Sequence, residues 1–93
     1  MYYQLARYLM RTITFTIKDP VGLHARPVTK LVQDANTFCS EIVLHYNGKS
    51  GSLKSIFSAL GLAIPSGASV ELIIDGIDED HAYTHFSTLV HLI

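Results

Sequence analysis

The stretch RTITFTIKDPVGLHARPV, Arg11 to Val28, changes its hydrophobic period once, and that change decides the fold. From Arg11 to Lys18 polar and apolar residues alternate, which puts Ile13, Phe15 and Ile17 on one face of a half-buried strand. The threonines between them are β-branched, as a pleated backbone favours. Asp19-Pro20-Val21-Gly22 then interrupts the strand with turn chemistry. Beyond Gly22 the period becomes helical, because Val28, Leu31, Val32, Ala35 and Phe38 share one side of a 3.6-residue repeat. Pro27 suits a first helical turn, where its missing N–H leaves no bond unmade. The helix is therefore predicted to start near Ala25, with His24 at the N-cap, and to end at Asn36-Thr37.

Working outward, Ser40 to Tyr46 reads as a second strand, and Asn47-Gly48 is a strong hairpin signal leading into a return strand, Lys49 to Ser52. Leu53, Ile56, Phe57 and Leu60 have helical spacing over Leu53 to Leu62, with Gly61 as the expected stop. Ser69 to Asp75 reads as a further strand with Val70, Leu72 and Ile74 on one face. Asp78, Glu79 and Asp80 offer a cap and negative charge to a last helix carrying Ala82, Phe86, Leu89, Val90 and Ile93. The resulting order is β-α-β-β-α-β-α. It predicts an α+β, two-layer open-faced sandwich, in which three helices cover one face of a four-stranded antiparallel sheet.

Bulk properties narrow the function classes. At 93 residues the chain holds one domain, expected over residues 11–93, with residues 1–10 as an extension of unknown role. Met10, immediately before the first strand, is an alternative first residue. An apolar fraction of 48% is incompatible with disorder, and a net charge of -1 without a basic cluster argues against nucleic-acid binding. No apolar run approaches the ~20 residues of a membrane span, and no secretory leader is recognisable. The single cysteine, Cys39, suits a reducing, cytoplasmic setting and is expected to be a small buried apolar residue.

Gly22-Leu23-His24-Ala25-Arg26-Pro27 concentrates the chemistry. An imidazole with an unperturbed pKa of ~6.5 is a neutral nucleophile at physiological pH. A helix start offers unpaired amides and about half a positive charge, which favour a phosphate. Arg26 adds a planar cation that matches phosphate oxygens. The candidate site is thus His24 with Arg26 and the backbone amides of Ala25, Arg26 and Val28. Taken alone, a histidine beside an arginine is also what a simple helix-capping histidine looks like.

The hexapeptide and the element order around it resemble the HPr family, the histidine-containing phosphocarriers of the bacterial phosphoenolpyruvate-dependent sugar phosphotransferase system. The resemblance runs from about Arg11 to the C-terminus. It implies that His24 is phosphorylated on Nδ1 by enzyme I and passes the group to enzyme IIA components, with Arg26 in support. It implies a carrier rather than an enzyme, with no cofactor. Leu53-Lys54-Ser55-Ile56 further resembles the regulatory serine region of Gram-positive members. That makes Ser55 a target for a serine kinase/phosphatase and a transcriptional regulator a further partner. Ile56, Phe57 and Leu60 become the docking patch, with Phe57 its exposed member. A carrier that meets several partners is expected to be monomeric. One departure is Val21, where many relatives hold a small polar residue.

Rival readings use other residues. His81 and His85, at i and i+4, have metal-ligand spacing but lack a third ligand, so no metal site is expected. A nucleic-acid module would need basic residues beside Phe15, Tyr2, Tyr3 and Tyr8. Related relays of nitrogen regulation or of dihydroxyacetone kinases, or a small binding module without phosphotransfer, are the remaining alternatives.

Overall fold

The computed structural model describes residues 9–93. Its elements are β1 (Arg11–Thr16), α1 (Ala25–Ala35), β2 (Glu41–Tyr46), β3 (Lys49–Ser52), α2 (Ile56–Leu60), β4 (Ser69–Asp75) and α3 (Glu79–Leu89). A 3₁₀ turn, Val90–Leu92, follows α3. The β-α-β-β-α-β-α order is the expected one. Most of the extension, residues 1–8, lies outside the described residues. Leu9, at its end, donates its amide to Glu79 Oε2 at 2.7 Å.

The strands form one antiparallel sheet in the order β1-β4-β2-β3. The last strand therefore enters between the first two. Leu72 on β4 pairs with Ile13 on one side and Leu44 on the other, while Ile74 opposes Ile42 and Val70 opposes Phe15. Period-two alternation sends this row to one face, where Phe15, Ile42, Leu44, Val70, Leu72 and Ile74 are all buried. The left-handed pair Asn47-Gly48 closes the β2–β3 hairpin.

The helices cover that face. From α1, Val28, Leu31, Val32 and Ala35 are buried, and Phe38 packs against the same core from beyond the helix end. Burial of each larger side chain stabilises by roughly 1.5–3 kcal/mol. From the C-terminal segment Ala82, Phe86, Val90 and Ile93 are buried, although only the first two lie on α3 itself.

Several local expectations are corrected. The second helix is shorter than Leu53 to Leu62: the Leu53 amide bonds to the Ile42 oxygen at 2.8 Å, so this buried residue serves β2 instead. Gly61 does stop α2, as its C-cap, but in the right-handed helical region at φ -63; the left-handed residue after α2 is Ala63, at φ 53. Cys39 is exposed, because Phe38 turns inward at the end of α1 and its neighbour must face outward. Asp78 makes no side-chain cap for α3. Its carboxylate reaches across to accept the amides of Cys39 and Ser40 and the Ser40 hydroxyl. That clasp ties the start of α3 to the entry of β2.

The Ser40 hydroxyl bond, and the amide bonds with it, hold the Asp78 carboxyl below its usual range against an opposing effect of desolvation. A carboxylate depressed in the folded state contributes stability above its unfolded value and loses it as pH falls through the folded one. Asp78→Asn should therefore lower the thermal midpoint at pH 7. The deficit should begin to shrink below about pH 4, where the unfolded chain's carboxyl protonates, and should disappear at lower pH, once the folded carboxylate protonates as well. Thermal unfolding of both proteins from pH 7 to 2 checks this.

Candidate functional site

The corner between β1 and α1 is built by a turn and held by distant chain. Gly22 donates its amide to the Asp19 oxygen at 2.9 Å, closing the turn over Pro20 and Val21. The Val21 amide donates to Asp19 Oδ1, also at 2.9 Å. Gly22 has φ +87, and a Cβ there would stand 2.8 Å from the Ile64 oxygen. Only glycine meets both conditions. The amide of Leu23, a buried residue, bonds to that same Ile64 oxygen at 2.9 Å. The Ile93 oxygen accepts the Lys18 and Asp19 amides at 3.0 and 2.9 Å.

His24 follows as the N-cap of α1, with extended backbone and no side-chain cap bond. Its imidazole is thereby available for other work, with 34% of the side chain exposed. Nε2 lies 3.2 Å from Asp19 Oδ2. The Asp19 carboxyl is held below the usual carboxylate range, first by the Val21 amide and then by the His24 contact, with the Arg26 cation adding a smaller effect.

Around the ring the candidate donors divide. Among the described residues, the amides of Ala25 and Arg26 donate no hydrogen bond, and the Arg26 side chain is exposed and makes no ion pair. The Val28 amide does not join them. It donates to the His24 oxygen at 3.0 Å as the first intrahelical bond. Pro27 has no amide hydrogen, so the helix start offers two donors, from Ala25 and Arg26. Val21 is 73% exposed and brings an apolar side chain to the turn.

The second candidate region is α2. Ser55 is its N-cap and accepts the Ser58 amide at 3.2 Å. Phe57 is 87% exposed and Ile56 borders on exposed, whereas Leu60 packs partly against the core. Helices α1 and α2 are in contact, with Asn36 at the end of α1 donating to the Lys54 oxygen just before Ser55. The His81–His85 pairing is not formed as a ligand pair. His85 Nε2 contacts Asp34 Oδ2 at 2.7 Å, and its ring sits against Phe38 and Phe86, linking α1 with α3. Burial pushes the Asp34 carboxyl up, but the His85 and Lys30 bonds outweigh it and leave the pKa lowered. Among the described residues, no three His, Cys, Asp or Glu side chains are grouped to hold a metal ion.

Asp19 is the site residue that sequence reasoning missed. An Asp-Pro turn signal was visible, but it points to turn formation and not to a contact with a ring five residues away.

Comparison with known proteins agrees with this geometry. Residues 11–91 match the family model described as the PTS HPr component phosphorylation site. The chain belongs to the HPr family. The phosphocarrier protein HPr of Lysinibacillus sphaericus is 42% identical over 81 residues, covering 87% of this chain and 92% of that protein. The histidine-containing phosphocarrier protein of Mycoplasma superposes with a TM-score of 0.82 at 37% identity, covering 85% of this chain and 90% of the other. Crh of Bacillus subtilis, a catabolite repression protein described as a domain-swapped dimer, is 36% identical with a TM-score of 0.70, covering 83% and 88%. The chain is thus a phosphocarrier-family protein with the family's open-faced sandwich. No helix among the described residues is long and apolar enough to cross a membrane.

Because the Arg26 side chain is exposed and makes no ion pair among the described residues, Arg26→Ala should change stability by no more than about 0.5 kcal/mol. Thermal unfolding should shift by less than about 4 °C. A drop of about 10 °C would instead assign Arg26 to the fold.

Proposed function

We propose that this chain carries phosphoryl groups on His24 in the phosphoenolpyruvate-dependent sugar phosphotransferase system, taking them from enzyme I and handing them to enzyme IIA components. The observation that carries this reading is a one-third-exposed imidazole at the start of α1, next in sequence to two amides and a guanidinium that have no partner among the described residues. Phosphoryl transfer asks a protein chiefly for positioning and for stabilisation of charge on the equatorial oxygens. The Ala25 and Arg26 amides lie at the positive end of the helix dipole, and the Arg26 fork supplies a mobile cation. Neither clamps the phosphoryl group from all sides, so it remains transferable. The protein acts as substrate and donor, from residues 11–93, with residues 1–10 as an added segment; it works in the cytoplasm as a monomer.

Regulation belongs to Ser55. A phosphate there would sit beside Ile56 and Phe57, the exposed part of the proposed docking patch, and its charge would oppose apolar contact. A serine kinase/phosphatase and a transcriptional regulator are the partners that such a modification serves.

Incubation with enzyme I and phosphoenolpyruvate should add one acid-labile, base-stable phosphate, and His24→Ala should abolish it. Label that persists in the variant refutes the assignment. Ser55→Asp should slow acceptance of phosphate from enzyme I while leaving the fold intact by circular dichroism. Unchanged kinetics would leave Ser55 as a helix cap alone.

A further inference from the structure

We propose that Asp19 is a positioning residue for His24: its carboxylate holds the ring proton on Nε2 and leaves the lone pair on Nδ1. The proposal rests on the phosphocarrier reading of His24 and names the residue that selects the reacting nitrogen.

The two oxygens of Asp19 have separate tasks. Oδ1 accepts the Val21 amide at 2.9 Å, which orients the carboxylate, and Oδ2 then faces His24 Nε2 at 3.2 Å. The backbone beneath is fixed on both sides, since the Asp19 amide bonds to the Ile93 oxygen and the Asp19 oxygen accepts the Gly22 amide. The carboxyl is also kept ionised by this setting. An ionised carboxylate can only accept hydrogen bonds. The contact with Nε2 is therefore satisfied only when Nε2 bears hydrogen. A neutral imidazole has one ring proton, so Nδ1 carries the free pair.

The same contact serves the transfer step. The Nδ1 pair attacks the phosphorus of the donor, a P–N bond forms, and the donor's bond to phosphorus breaks with its electrons leaving on the donor. No proton has to depart from His24. The ring, which keeps its Nε2 hydrogen, becomes a cationic phosphoimidazolium, and the Asp19 carboxylate lies against that new charge. On the outward transfer the P–N electrons return to Nδ1 and the ring is neutral again. Arg26 and the helix amides meet the phosphoryl oxygens while Asp19 meets the ring, so the opposite charges of the group have separate partners. Both side chains of the Asp19–His24 pair are about one-third exposed, 32% and 34%, so solvent screens the effect. A change of about two- to fivefold in rate is the scale of such a pair.

The test combines a spectrum and a rate. The full chain, labelled with [15N]histidine, is compared with Asp19→Ala and Asp19→Asn at about pH 8.5, well above the ordinary imidazole range. Long-range proton–nitrogen spectra should show wild-type His24 as the Nε2–H tautomer. In Asp19→Ala its two nitrogens should move towards averaged shifts. Asp19→Asn, which retains an oxygen acceptor without the charge, should recover the tautomer but not the rate. In both variants kcat for phosphate acceptance from enzyme I should fall about two- to fivefold, with KM unchanged. Identical spectra in wild type and Asp19→Ala would overturn the proposal, as would a tautomer change with no effect on rate. The spectra are taken on unphosphorylated protein, so they test Asp19 independently. A wild type that takes no label refutes the carrier reading instead.

Discussion

The Ile93 and Ile64 backbone oxygens determine the conformation on which the site depends. Ile93 accepts the amides of Lys18 and Asp19, and Ile64 accepts that of Leu23, so a turn of a few residues is held by chain far away in sequence. Those bonds satisfy amides that the end of β1 leaves unpaired. They also fix where the chain re-enters helical conformation. Were the turn free, α1 would still bury Val28, Leu31 and Val32, but His24 would not be held over Asp19.

The sandwich supplies the anchors. Ile93 can reach the corner because α3 and the turn after it are anchored in the core by Phe86 and Val90. Ile64 follows α2 and is itself buried, which brings its oxygen against Gly22. Gly22 is thus constrained twice, by its left-handed backbone and by the space that the Ile64 carbonyl occupies. The core and the site are joined through main-chain bonds, which leaves the exposed side chains of the corner free for chemistry.

Charge is used sparingly and locally. Asp19 serves its own turn and the His24 ring, Asp78 clasps the Cys39–Ser40 segment, and Asp34 bridges to His85. Glu79, although buried, accepts the amides of Gly76 and Leu9. Each carboxylate thus receives donors from the chain around it. Arg26 is different, since it is exposed and makes no ion pair among the described residues. A cation that stands unpaired at a helix start is available to an incoming anion.

The elements and their inward faces were legible in the sequence because they follow from local periodicity. Alternation in β1 and β4, the helical spacing of Val28 to Ala35 and the Asn47-Gly48 hairpin are each decided by neighbours a few residues apart. Pro27 placed the start of α1, and with it His24, for the same local reason. The choice of β4 as the strand between β1 and β2 was not legible, because antiparallel pairing partners are selected by packing across the whole sheet. Nor were the outward turn of Cys39, the cross-chain role of Asp78 or the intrahelical use of the Val28 amide. The sequence by itself thus determined a histidine at the mouth of a helix on an α+β sandwich. Tertiary structure alone decided which groups surround that histidine, because hydrogen bonds to the Ile64 and Ile93 oxygens set the turn that brings Asp19 to its ring.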